Sequence, residues 1–373
     1  DVAASFVTTS GTNTVWSIAG TNKLTISGAV TTVANDTLIV NLSGGAVVDV
    51  AQAWVEGNTA ALSAISLTLA GTSSLIASGS DTHIWDVDGA TANLGSIAVT
   101  ANTTFSGTMG STNGIAAMIV ATSTTTTLNE DSKIAAMGSV GSLIVKKDLL
   151  TSTIVADGNI VINGGAAANE VTGAMTESAS GDITVLTVVK GGDAAASITT
   201  LGGAITLDDV QVGSSTQAGS VIAQGVVTGD VTVDAGNATT EISTFSTSKN
   251  VIGAIILDEN GGGASILTTT GTSAVTITGT LAAATAGEGD INFNNTGGTT
   301  VTGAGGTAIG TMTVASAASV TFNDNAVVLA IVANGNSTFK QSVTSTTLKT
   351  AKTININNAA AETIGGAITE VSG

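Results

Sequence analysis

The sequence predicts an all-β chain wound as a parallel β-solenoid, and three observations predict it. One short strand phrase recurs, proline is absent, and the clearest copies are spaced at a solenoid-like period of roughly 20–25 residues. The phrase is plainest in "GDVTVDAG", Gly229 to Gly236, where Val231 and Val233 point one way and Thr232 the other. It returns as "GNIVIN" at 158, "GDITVL" at 181, "GAITLD" at 203, "GAIILD" at 253 and "GDINFN" at 289. One strong strand per period is the mark of stacked coils, each of which buries its apolar face only against its neighbours. A β-sandwich or up-and-down barrel is the alternative, but it would place strand signals every ~8–12 residues without repeating their wording.

Each part of the phrase has a physical job. Inward positions are assigned to Ile160 and Ile162, Ile183 and Val185, Ile205 and Leu207, Val231 and Val233, Ile255 and Leu257, and Ile291 and Phe293. Thr184, Thr206, Thr232 and Asn292 then line the outside, because side chains alternate along a strand. Gly, Asn and Asp mark the corners, where the backbone turns tightly. Proline would break the scheme, since nearly every strand N–H is donated to the next rung.

The phrases are crisp over 151–373 and weaker over 1–150, as in "NKLTIS" at 22, "DTLIVN" at 36, "AISLTLA" at 64, "GSIAVT" at 95 and "GSLIVK" at 141. A soft boundary near 150 within one continuous rod is the expected organisation. The segment 47–62, "VVDVAQAWVEGNTAAL", is the one place where a short helix competes with a loop, with Trp54 and Leu62 available to dock it.

Composition narrows the function. Of 373 residues, 43% are hydrophobic but only 2% aromatic, so the core is built from Val, Ile, Leu and Ala. The aliphatic residues are too plentiful and too patterned for a disordered chain. The nine basic residues are all lysine, against 27 acids, for a net charge of −18. That balance lacks the counter-charge a phosphate backbone requires, so nucleic acid is an unsuitable partner. No apolar run is long enough for a membrane-spanning helix. The absence of cysteine excludes disulfides and thiolate metal sites. The opening "DVAASFVTTS" fits a mature or excised product better than a translation start.

No catalytic constellation emerges. His83 in "SDTHIWDVDG" has Asp81, Asp86 and Asp88 nearby, yet a polar turn beside the packing residues Ile84 and Trp85 accounts for the cluster. Asp208 and Asp209 in "LDD" resemble the paired acids of polysaccharide hydrolases, but a Gly-His-Gly and an Arg-x-Lys are missing. No cofactor is therefore expected. Oxygen-rich turns offer weak calcium sites at Asp258, Glu259, Glu288, Asp290 and Asp324, with "NED" at 129–131 a further acidic turn. Threonine runs at 121–128 and 344–350 are too irregularly spaced for an ice-binding array.

The stretches "GDVTVDAG", "GDINFNNTGGTTVTG" and "ASVTFNDNAVV" resemble the passenger regions of bacterial autotransporters, especially rickettsial-type surface-layer proteins. The resemblance covers most of 150–373 and is compositional; the absence of Arg, Pro and Tyr departs from it. It implies a β-solenoid displayed outside a bacterial cell as coat, filament or adhesin. Both chain ends read as strand, so Phe6, Val7, Val15 and Trp16 at the start and Ile364, Ile368 and Val371 at the close are expected to form assembly ends. Uncapped solenoid ends fit either a slice of a longer passenger or a head-to-tail homopolymer. The expected role is a non-enzymatic, self-associating subunit of an extracellular surface layer or filament. The rival is an adhesin gripping a host protein or glycan.

Overall fold

Every strand pairing given for the chain is parallel, and no helix occurs among the described residues. The computed structural model describes residues 6–7, 14–32, 37–52, 54–56, 64–79, 82–83, 86–164, 168–178, 184–190, 198–260, 262–357 and 364–370. The chain divides into two compact units, Asp1–Asn163 with Glu170–Thr184, and Gly164–Asn169 with Val185–Gly373.

Unit 1 is a three-faced solenoid. One turn runs through the strands Leu94–Val99 and Thr103–Phe105 and then Met109, after which Ile115–Val120 lies on Leu94–Val99. The first face stacks Leu24, Val48, Leu75, Ile97, Met118, Met137, Ile154 and Met175. The second carries His83, Phe105, Leu128, Val145 and Ile162. The third stacks Trp16, Val40, Leu67, Val87, Met109, Ser132, Leu149 and Val171. Each step along the first face, such as Val48 to Leu75 or Met137 to Ile154, spans one recurrence of the phrase, so the recurrence is the length of one turn.

Unit 2 repeats this plan. A wide face, mostly of six- to eight-residue strands, stacks Val221, Phe245, Leu267, Ile291, Met312, Ile331, Leu348 and Ile368. A narrow face, mostly of three- or four-residue strands, stacks Ile205, Val227, Val251, Ile277, Val301, Phe322, Phe339 and Ile356. The third face stacks Leu186, Val210, Val231, Ile255 and Leu281. Turns shorten along the narrow face: the step from Val251 to Ile277 is longer than the later step from Phe322 to Phe339. The strand core needs only a few residues per face, so the corner loops absorb the difference.

The interior is aliphatic, and three of its few aromatic residues, Phe293, Phe322 and Phe339, touch. Phe322 stacks on Phe339 one turn later, with centroids 5.4 Å apart and planes at 11°. Phe293 meets Phe322 edge-on at 6.0 Å from the wide face. Each buried ring contributes about 1.5–3 kcal/mol by leaving water, and each such pair about 0.5–1.5 kcal/mol more.

Two readings of the sequence need correction. Residues 47–50 and 54–56 are strands, not helix, because Val48 and Val50 fall between Leu24 and Ile26 below and Leu75 and Ala77 above. Trp54 is fully buried on the rung next to Val30, whereas Leu62 lies outside the described residues. In "GDITVLTVVK" the parity is reversed: Thr184, Leu186 and Val188 are buried and Val185 is only partly so. Leu186 and Val188 stack on the buried Val210 and Val212 of the next turn, and placing both inside turns Val185 out. Ile183 lies outside the described residues. The remaining inward assignments hold, with Ile160, Ile162, Ile205, Leu207, Val231, Val233, Ile255, Leu257, Ile291 and Phe293 all buried.

Candidate functional site

Aspartate and asparagine side chains at the corners of this solenoid bind backbone. Thr108 donates to Asp86 Oδ1 through both its N–H and its hydroxyl, each at 2.8 Å. Asp148 N–H donates to Asp131 Oδ1 at 3.3 Å, and Glu170 N–H donates to Asp148 Oδ1 at 2.8 Å. Ala254 N–H reaches Asp230 Oδ1 at 2.7 Å. Asparagine serves equally, with Asn102, Asn250 and Asn325 accepting from the N–H groups of Thr125, Thr276 and Ser342. In every case the donor lies one turn later in the chain. These side chains satisfy N–H groups that the ladder leaves free at an exposed corner, each such bond contributing about 0.5–1.5 kcal/mol.

That use of the acids bears on the residues the sequence marked for chemistry. Asp88 accepts from Thr112 N–H at 3.1 Å, so Asp86 and Asp88 both face the following turn. His83 lies in the strand Thr82–His83 on a different face, paired with Phe105, and Asp81 is outside the described residues. Asp208 and Asp209 are exposed at a bulged corner, where Asp209 pairs with Asp230.

Of the residues proposed as calcium ligands, two are brought together. Glu259 Oε1 accepts from Gly289 N–H at 3.0 Å, and Glu288 Oε2 accepts from Thr285 N–H at 3.1 Å and Glu259 N–H at 3.5 Å. Asp258 caps its own turn, its Oδ1 accepting from Asn260 N–H at 3.0 Å. Asp290 faces outward on the wide face, and Asp324 accepts from the adjacent Asn325 N–H at 2.7 Å in a separate turn. Among the described residues no group of three or more His, Cys, Asp or Glu is arranged to hold a metal ion.

The most buried acid among the described residues is one that sequence reasoning passed over. Asp234 is 6% exposed, and its carboxylate accepts from Gly236 N–H at 3.0 Å, Asn260 Nδ2 at 2.7 Å and Gln211 Nε2 at 3.5 Å. Lys190 is a cation perturbed by burial. Burial lowers its pKa below the usual 10.5, the negative charge of Glu241 opposes that shift, and its Nζ donates to Ile242 O at 3.1 Å. Lys23 pairs with Asp49 at 2.8 Å, and Ser78 adds its hydroxyl at 2.5 Å.

Among the residues expected at assembly ends, the strand Phe6–Val7 pairs with Val30 and Thr31, and Thr14–Ile18, which includes Val15 and Trp16, pairs with Leu38–Leu42. Ile364–Glu370 pairs with Val343–Thr350. Val7, Val15 and Ile368 are 63%, 54% and 59% exposed, whereas Trp16 packs edge-on against Trp54 at 6.0 Å. Val371 lies outside the described residues, and Ile364 is placed by its backbone pairing with Val343.

The outer faces carry ladders of the outward Thr and Asn type that the sequence predicts, and the register fixes their members. On the narrow face Thr276, Thr300, Thr321, Thr338 and Asn355 stand in register. On the wide face one column runs Thr244, Ile266, Asp290, Thr311, Ala330, Thr347, and its neighbour Ser246, Thr268, Asn292, Thr313, Val332, Lys349. The signal was present as alternate residues in each phrase, but it becomes a surface only once the register is known. Comparison of the chain with protein-family models, with curated proteins and with solved structures returns no match.

Proposed function

We propose that this chain is a non-enzymatic structural subunit of an extracellular bacterial assembly, a surface layer or filament, whose copies join by pairing strand edges. One observation supports it above the rest. The strands Phe6–Val7 and Ile364–Glu370 each pair along one edge only among the described residues, and Val7 and Ile368 are exposed beside those edges. Unpaired N–H and C=O groups with exposed aliphatics are a template for another parallel rung. That rung can come from a second copy or from further residues of the same chain. The likeness of the repeats to autotransporter passengers favours an extracellular setting.

Electron microscopy of the purified chain at high concentration tests this. Ordered fibres or sheets are expected, shortened or lost in Ile368→Lys; dispersed single particles at every concentration would overturn it. The competing reading, a passenger-type adhesin for a host protein or glycan, draws on the in-register threonines of the narrow face. Saturable binding of a glycan by a chain that stays monomeric would favour the adhesin.

A further inference from the structure

Charge is distributed unevenly over unit 2. Asp208, Asp209 and Asp230 lie at the bulged corner within their strands, Asp258 ends its strand, Glu259 and Asp324 lie in turns, and Glu288 stands at the corner where a wide-face strand begins. The two outward columns of the wide face, from the Leu267 turn to the Ile368 turn, carry only Asp290 and Lys349, which have opposite signs. Between them the surface is Thr, Ile, Val, Ala and Asn. A chain at net −18 repels its own copies through its acidic corners, so two copies approach most closely where those acids are missing.

We infer that the wide face of unit 2 is a second self-association surface, on which two copies pack face to face and antiparallel. A two-fold axis lying along the strands, between the turns of Thr313 and Val332, places the turn of Asp290 over the partner copy's Lys349 turn. Symmetry makes that contact twice. The two side chains then sit one column apart, roughly 7 Å, within the reach of a lysine. The same axis sets the Thr311 and Thr313 turn against Ala330 and Val332, giving the centre of the contact a small, β-branched, uncharged surface.

Six turns at ~4.8 Å and strands of about 20 Å give roughly 600 Å² per copy. The total, about 1,200 Å², stands at the lower bound of specific interfaces and implies a weak, concentration-dependent contact. This inference rests on the proposed self-associating role, but it concerns sideways packing, whereas edge pairing governs length.

Sedimentation velocity of the full chain is the test, with circular dichroism as the check on folding. The wild type should dimerise or form laterally paired fibres. Thr313→Lys, at the centre, should weaken that association by ~100-fold or more. Lys349→Asp should weaken it by ~10-fold, and combining it with Asp290→Lys should restore it to within ~3-fold. If Thr313→Lys loses its fold, the charge-reversal pair, on outward positions, still decides the matter. A wild type that is monomeric at ~1 mM, or association indifferent to all these changes, overturns the inference. So does a monomer that retains a polysaccharide through Thr313. The two self-association modes separate by image: Ile368→Lys changes fibre length, Thr313→Lys fibre width.

Discussion

A Cβ on Gly253 would stand 2.1 Å from the carbonyl oxygen of Gly229, one turn earlier. Gly279 stands in the same relation to Gly253, and Gly303 to Gly279, each at 2.0 Å. This column accounts for the glycines that open the phrases at 229 and 253. The corner brings backbone against backbone at a spacing that no side chain tolerates.

Gly253→Ala should therefore destabilise the chain by at least ~2–3 kcal/mol, since the clashing atom is backbone and cannot rotate away. Gly138→Ala is the contrast. No atom would lie within 4 Å of its Cβ and its φ is not positive, so a change of less than ~1 kcal/mol is expected. Urea midpoints of the two variants decide it; equal losses would show that corner packing is not the cause.

Phe322→Ala removes the ring that touches both Phe339 and Phe293. A loss of about 3–5 kcal/mol is expected. Phe339→Ala should cost less, because its ring meets Phe322 alone among the aromatic contacts given for unit 2. Thermal unfolding of both variants checks the order.

Asp148→Ala should lose about 0.5–1.5 kcal/mol by removing the acceptor of the exposed Glu170 N–H, while Asp148→Asn keeps an acceptor oxygen and should lose less than half as much. Amide hydrogen exchange at Glu170 reads the contact directly. It should accelerate in the alanine variant and stay near wild type in the asparagine variant.

Lys190 gives a pH dependence of known sign. Its pKa is lowered in the folded chain, so the unfolded chain binds more protons between that value and 10.5. Its contribution to stability is fully present above 10.5 and is lost as pH falls through the folded value. Across that window the wild type should gain stability relative to Lys190→Met as pH rises. Unfolding midpoints that run parallel for the two proteins would exclude the effect.

Much of this architecture was legible before any coordinate. Period-two alternation in "GDVTVD" and "GAIILD" assigns inside and outside, because a strand has only two faces and only one can avoid water. The failures share a cause. Residues 47–56 hold a helix-compatible spacing of apolar residues, and only Leu24 below and Leu75 above make them strand. "GDITVLTVVK" offers two apolar sets, and its neighbours on the third face select Leu186 and Val188. Asp131 reads as an acidic turn, and nothing nearby in the chain marks Asp148 or Asp230 as backbone acceptors, since the N–H groups all three bind lie a whole turn away.

By itself, then, the order of residues determined the element type, the approximate turn length and the identity of the core, all of which follow from local alternation and from the absence of proline. Three-dimensional stacking alone decided which glycine lies under which, which carboxylate reaches which N–H, and which outward residues align into the wide face. Those relations join residues a full turn apart, and turns differ in length, a long one from Val48 to Leu75 and a short one from Phe322 to Phe339. No fixed spacing in the chain encodes them; the registration of one rung on the next does.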